Sequence, residues 1–284
     1  MPELPEVETV ARSVDQRVRG ERIAEVWFCS HPQSFKMPPA EQAKGLTGRA
    51  FLAVHRTGKH IVCELGPVLP GGKKAASENQ AAEAQWVVHL GMTGRLLVTA
   101  GDAPVAAHTH ARLTLGSGRE LRFVDPRRFG RLDFSDLRHR AGFASQGAEP
   151  LMIGKEHFAG LFRGRRLPIK VALLNQSLLT GVGNIYADEA LFRAGIRPRR
   201  MAGRLTREEL ERLRLGLLEV LRHAIRLGGS SVSDYVDANG DPGSFQVEHC
   251  VYRRTGLPCR RCGVEIRRIV LAGRGTHYCP KCQR

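Results

Sequence analysis

Four cysteines near the end of this 284-residue chain leave their segment little choice of fold. Cys259, Cys262, Cys279 and Cys282 stand as C-x2-C-x16-C-x2-C, two knuckles that each present two thiolates to one tetrahedral ion. The pattern predicts a hairpin closed by one zinc ion. Four thiolates leave no open coordination position, so that ion is structural. A redox role for one pair is the alternative, but two knuckles at ribbon spacing beside basic residues favour the metal. Cys29, Cys63 and Cys250 are isolated, and an odd total of seven argues against a disulfide framework.

Charge points to a polyanion. Lys and Arg total 44 against 28 Asp and Glu, a formal net charge of +16. The excess is uneven: residues 251–284 hold nine basic residues and a single acid, Glu265. Such a field attracts nucleic acid by default. No apolar run approaches the roughly 18 residues of a membrane-spanning helix. The acidic start MPELPEVETVAR lacks the basic n-region and apolar stretch of a signal peptide. The expectation is a soluble, cytoplasmic protein that meets no membrane.

Hydrophobic periodicity divides the chain. Residues 5–18 read as a helix with Val7, Val10, Ala11, Val14 and Val18 on one face. Short strands follow in RIAEVWF, AFLAVHRTG, HIVCEL, QWVVHLGM, ARLTLG and ELRFVD, the layout of a sandwich or barrel. Two stretches, 66–85 and 99–110, read as mobile loops extending hairpins. From about residue 136 the character becomes helical, with segments near 155–162 and 168–179, then IYADEALFRA ended by Gly195. Thr206 and Glu209 form a capping box before a helix that buries Leu210, Leu213, Leu217, Val220, Leu221 and Ala224 and stops at Gly228-Gly229. Two domains follow, with a boundary near 135–150.

Several words could carry chemistry. Methionine aminopeptidase removes Met1 readily before a small residue, and Pro2 then carries a secondary amine. A neutral amine of that kind can attack a sugar C1′ and form an iminium that acts as an electron sink. Glu3 and Glu6 stand beside it, although two glutamates at a helix start are also ordinary dipole partners. Asn184, after Gly183, suits either a phosphate held on helix-start N–H groups or a simple N-cap. Taken singly, His89 and Met92 in HLGMTG suit a strand histidine and a core methionine. In DPRRFG, Arg127 and Arg128 suit solvated turn positions and Phe129 a buried one.

Together these words are specific. MPELPEVET, HLGMTGRL, DPRRFGRLDF, GVGNIYADEALF and the terminal cysteine quartet occur in this order along the whole chain, which resembles the formamidopyrimidine-DNA glycosylase family. The resemblance implies an α+β fold. An N-terminal helix and antiparallel β-sandwich form a catalytic domain (1–135), and a linker (136–150) follows. A helix–two-turn–helix domain (151–249) then leads to a zinc-finger β-hairpin (250–284). It implies a base-excision-repair enzyme, a monomer without external cofactor, that excises 8-oxoguanine and formamidopyrimidines from damaged double-stranded DNA. It then cuts the strand as an abasic-site lyase.

The roles it implies fall on matching positions. Pro2 is the nucleophile, Glu3 the general acid/base and Glu6 a supporting carboxylate. Lys59 in RTGKH belongs with this catalytic group and also grips the strand. Met92, Arg127 and Phe129 fill the hole left by the flipped base, with Arg127 facing the orphaned cytosine. His89, Asn184 and Arg274 hold phosphates, and Tyr252 is a further DNA contact. Lys170 lies near the damaged base, Glu189 is an acid of the same helix as Asn184, and the loop 233–247 closes over the purine, ordering only on substrate. The insertion at 66–85 is longer than the family pattern leads one to expect. Two rivals remain. One is the sister branch acting on oxidised pyrimidines, against which Leu4 and Phe129 argue. The other is a zinc-ribbon nucleic-acid binder without catalysis, which gives no reason for MPELPE.

Overall fold

The computed structural model describes residues 1–30, 35–67, 81–232 and 235–284. The chain forms two compact units. One holds residues 6–144 with 1–2 and 230–243; the other holds 145–229 and 244–284 with 3–5.

In the first unit, helix α1 (Leu4–Val18) buries Val7, Val10, Ala11, Val14 and Val18, the face its 3.6-residue period assigns to the core. Eight strands follow: β1 (Ile23–Phe28), β2 (Phe51–Thr57), β3 (His60–Leu65), β4 (Ala84–His89), β5 (Arg95–Thr99), β6 (Thr109–Leu115), β7 (Glu120–Val124) and β8 (Arg131–Asp136). They pair antiparallel in two four-stranded sheets, β1-β6-β7-β5 and β2-β3-β4-β8. Trp86, Ile61 and Phe51 of one sheet share a core with Leu113, Leu121 and Phe123 of the other, and with α1.

The sequence pattern misses β5, β8 and the helix α2 (Pro39–Leu46). β5 and β8 start directly after Gly94 and Gly130, so no separate turn cluster marks their beginnings. Of the 66–85 insertion, which joins the paired strands β3 and β4, residues 68–80 lie outside the described residues.

The reading of 99–110 as a mobile hairpin loop is corrected. β5 and β6 both pair with β7, so this segment crosses from one side of β7 to the other. It is held down as well. The buried Arg122 guanidinium donates to the carbonyls of Ala103 (2.8 Å) and Pro104 (2.9 Å).

The second unit contains α3 (Lys155–Phe162), α4 (Ile169–Leu173), α5 (Asn184–Ala194), α6 (Arg207–Arg226) and the hairpin β9 (Arg267–Leu271) with β10 (Arg274–Tyr278). The capping box opens α6: Thr206 Oγ1 accepts from Glu209 N and Glu209 Oε2 from Thr206 N. The six apolar residues assigned to its inner face are buried. Gly195 ends α5 with φ +71°.

The helix expected over 168–179 is corrected to five residues, because Asn175 Oδ1 accepts from Ser177 N and turns the chain out of the helix. A turn at 176–178 and a bend at 180–181 then lead to α5. That helix is buried nearly all round, from Ile185 to Phe192, which marks it as the interior strut of this unit.

Candidate active site and nucleic-acid interface

The most informative contact begins at the third residue. Glu3, only 4% exposed, places its carboxylate at the start of α5. Oε1 accepts from Ile185 N at 3.0 Å and Oε2 from Tyr186 N at 3.4 Å. These N–H groups have no partner inside the helix and carry its positive dipole end, so a carboxylate there is doubly satisfied. Gly183 makes this approach possible: a Cβ on it would lie 2.2 Å from Glu3 Cδ. Leu4 N donates to Gly181 O, which fixes the chain end against the same turn. GVGN is therefore the seat of the chain's own carboxylate. The N-cap reading of Asn184 is corrected, since Gly183 is the N-cap, and the N–H groups of Ile185 and Tyr186 are taken by Glu3.

Asn184 points elsewhere. Its Nδ2 donates to Gly275 O in the finger hairpin, and Tyr252 lies beside it. Ala272 and Gly273, both with positive φ, form the two-residue turn between β9 and β10, and exposed Arg274 follows immediately. Lys170 braces this hairpin from beneath. Its ammonium meets Asp188 Oδ1 (2.7 Å), Thr276 Oγ1 (2.9 Å) and Gly275 O (3.0 Å). Both Lys170 and Asp188 are fully buried. These contacts make Lys170 a brace beneath the hairpin. Burial lowers its pKa, and Asp188 opposes that shift.

Asp188 also accepts from His277 N, and its neighbour Glu189 accepts from the backbone N–H groups of Cys250, Val251 and Tyr252. Burial pushes the Glu189 carboxyl up while these three donors pull it down. Sequence reasoning did not find Asp188. The signal was there: two adjacent acids inside a helix that is otherwise apolar on every face.

In the finger, the four Sγ atoms lie within 4.8 Å of one another. Arg261 N donates to Cys259 Sγ and Cys282 N to Cys279 Sγ. Four converging sulfurs with N–H groups directed at them fit a tetrahedral thiolate site at metal–sulfur distances of about 2.3 Å. The tail locks onto the segment that follows α5 through Gln283, whose Nε2 donates to Ile196 O.

The first unit carries a separate group. Lys59 sits in the two-residue turn between β2 and β3, and His60 pairs across the sheet with His89. Their rings lie 4.8 Å apart, and His60 also packs on Phe143 at 4.5 Å. Burial, with Lys59, Arg131 and Lys36 nearby, lowers the His89 pKa. Its Nδ1 accepts from Gly91 N, which leaves the proton on Nε2, a neutral donor suited to a phosphate oxygen. Met92 and Phe129 are 40% and 48% exposed, and the Arg127 guanidinium stacks 4.9 Å above the Phe129 ring. Core residues would be buried; these present an apolar, cationic edge to solvent.

Also in this unit, Glu6 Oε1 accepts from Ser230 N and its carbonyl from the Tyr235 hydroxyl. Of the loop 233–247, residues 233–234 lie outside the described residues. Asp237 Oδ1 caps Asn239 N and Asp241 N, and Tyr235 and Ala238 join the core.

Comparison with known proteins covers the whole chain. The family models that match are the formamidopyrimidine-DNA glycosylase N-terminal domain (residues 1–132), the H2TH domain (147–236) and the zinc finger found in FPG and IleRS (256–284). A formamidopyrimidine-DNA glycosylase of Solibacter usitatus is 44% identical, with all of both chains covered. The MutM (FPG) protein of Thermus thermophilus superposes with a TM-score of 0.83 at 41% identity, covering 99% of this chain and 98% of that one. Lactococcus lactis FPG bound to a Fapy-dG containing DNA gives 0.86 at 32% identity with full coverage of both. The same Lactococcus protein has also been solved with an oxidised pyrimidine containing DNA. Among the described residues no helix is long and apolar enough to cross a membrane.

Proposed function

Because the chain belongs to the formamidopyrimidine-DNA glycosylase family, we propose that it excises oxidised purines from duplex DNA and cleaves the resulting abasic strand. The observation that carries this reading is the buried Pro2-Glu3 start, with the Glu3 carboxylate fixed on α5 by a glycine that clears its path.

Once Met1 is removed, the Pro2 amine attacks C1′ of the damaged nucleotide and the base leaves with a proton. Glu3 supplies and removes protons at the sugar, first assisting ring opening and then taking the C2′ proton that the iminium has made acidic. Loss of the 3′ phosphate and then the 5′ phosphate completes a β,δ-elimination. Glu6 supports this end through the 230–235 segment.

Met92, Arg127 and Phe129 fill the gap left by the flipped base, at a cost of about a few kcal/mol for unstacking. Lys59, His89, Asn184, Tyr252 and Arg274 contact the backbone of the DNA. Lys170, Asp188 and Glu189 act behind them, holding the hairpin and Tyr252. The finger holds one structural zinc ion through Cys259, Cys262, Cys279 and Cys282, and the metal supplies scaffold, not chemistry.

We assign residues 1–135 to catalysis, 136–150 to a linker, 151–249 to the helix–two-turn–helix domain and 250–284 to the finger. The protein acts as a monomer on nucleoid DNA in the cytoplasm.

The test uses processed, full-length protein on duplexes carrying 8-oxoguanine or an oxidised pyrimidine opposite their natural partners. Release of the oxidised purine with phosphate at both ends of the gap, in buffer without added magnesium, is expected. Faster release of the pyrimidine would move the protein to the sister branch. Tight binding without base release would support the non-catalytic rival.

A further inference from the structure

The exposed edge formed by Met92, Arg127 and Phe129 comes from two separate loops, which raises the question of what keeps them in register. Asp125, fully buried, lies between them. Its Oδ1 accepts from the Thr93 hydroxyl at 2.6 Å, one residue after Met92, and from Arg127 N at 3.3 Å. Its Oδ2 accepts from Gly130 N at 2.7 Å, one residue after Phe129. The Asp125 carbonyl accepts from His110 Nε2 at 2.9 Å, which ties the assembly to β6.

The two loops also touch backbone to backbone. A Cβ on Gly91 would lie 2.5 Å from Gly130 N, and one on Gly130 would lie 3.0 Å from His89 O. A buried carboxylate costs several kcal/mol to desolvate, and every donor it meets here belongs to one of these two loops.

We propose that Asp125 is a positioning residue that clamps both loops into a single body, so that Met92, Arg127 and Phe129 enter the duplex together. This rests on the glycosylase reading above and adds a residue to it. Asp125 touches neither DNA nor the reacting atoms. It acts through the register of the residues that do, so its loss hinders expulsion of a stacked base and spares chemistry on a nucleotide that has none to expel.

Two substrates separate these steps: a duplex with 8-oxoguanine paired to cytosine, and the same duplex with a preformed abasic site. Asp125→Asn keeps the shape but turns an N–H toward a loop donor. Thr93→Val keeps the shape and removes only the hydroxyl; Thr93→Ser restores it.

Excision of the paired lesion is expected to fall on the order of 100-fold in Asp125→Asn and about tenfold in Thr93→Val, with near wild-type rates in Thr93→Ser. Cleavage of the abasic duplex should stay within about threefold for all of them. Equal losses on both substrates would make Asp125 a general stability residue and overturn the proposal. So would unchanged excision in both Asp125→Asn and Thr93→Val. If the wild-type protein itself fails to cleave the abasic duplex, the glycosylase reading fails and this proposal falls with it.

Discussion

A carboxylate that must give a proton and later take one needs a fixed position more than an unusual environment, and Glu3 is fixed by two backbone N–H groups at the start of α5. Glu3→Gln should lower base excision by at least about 100-fold while the protein still binds lesion DNA, read by single-turnover kinetics beside a binding titration. Gly183→Ala should reproduce much of that loss, since its Cβ would overlap Glu3 Cδ.

Histidines behave differently. Burial holds His60 and His249 at about 4, well below the usual value near 6.5, so the fold keeps them neutral. The unfolded chain takes up protons below pH 6.5 that the folded chain refuses. Stability is therefore complete above that pH and declines as pH falls toward 4. Thermal melts at pH 7 and pH 5 should show this decline, with His60→Gln and His249→Gln each flattening it. At this scale the motif words gave Pro2, Glu3 and His89 directly. The roles of Asp125 and Asp188 were not legible, because they depend on Thr93, Lys170 and His277, brought from elsewhere in the chain.

Elements that depend on near neighbours could be read from the residues. The α6 capping box, the α1 face and the Gly195 stop are local decisions. The bracing of β9–β10 is not: Lys170 and Asp188 come from different helices and meet residues 275–277 only after folding. Removing one partner strands the other charge in the interior. Lys170→Met should cost about 3–5 kcal/mol in denaturant unfolding and weaken DNA binding through the loosened hairpin.

The hairpin turn offers the opposite test. Ala272 is held at φ +45°, where a side chain is strained and asparagine is tolerated. Ala272→Asn should raise finger stability by about 0.5–1 kcal/mol and leave excision unchanged. Stripping zinc should unfold the finger, which depends on metal for order 10 kcal/mol of its folding energy, and abolish DNA binding; Cys262→Ser should do the same. Circular dichroism with and without chelator, followed by re-addition of zinc, checks this.

For the whole molecule the net charge of +16 sets how binding responds to salt. Of the five named backbone contacts, Lys59 and Arg274 carry the positive charge, and these two account for a slope of about −2 in log K against log salt. The helical unit and the finger were legible from periodicity and cysteine spacing, whereas the strand pattern left sandwich and barrel open and the family resemblance chose the sandwich. The crossover of 99–110 and the short strands β5 and β8 were not, because sheet order is decided by pairing at a distance.

The central claim is that the second residue is the nucleophile. Borohydride trapping on duplex DNA carrying 8-oxoguanine opposite cytosine, with the mature N-terminus verified by mass, tests it most directly. A covalent adduct that maps to Pro2 and is lost in Pro2→Gly is the predicted result. An adduct that survives Pro2→Gly, or excision with no trappable intermediate, would contradict it.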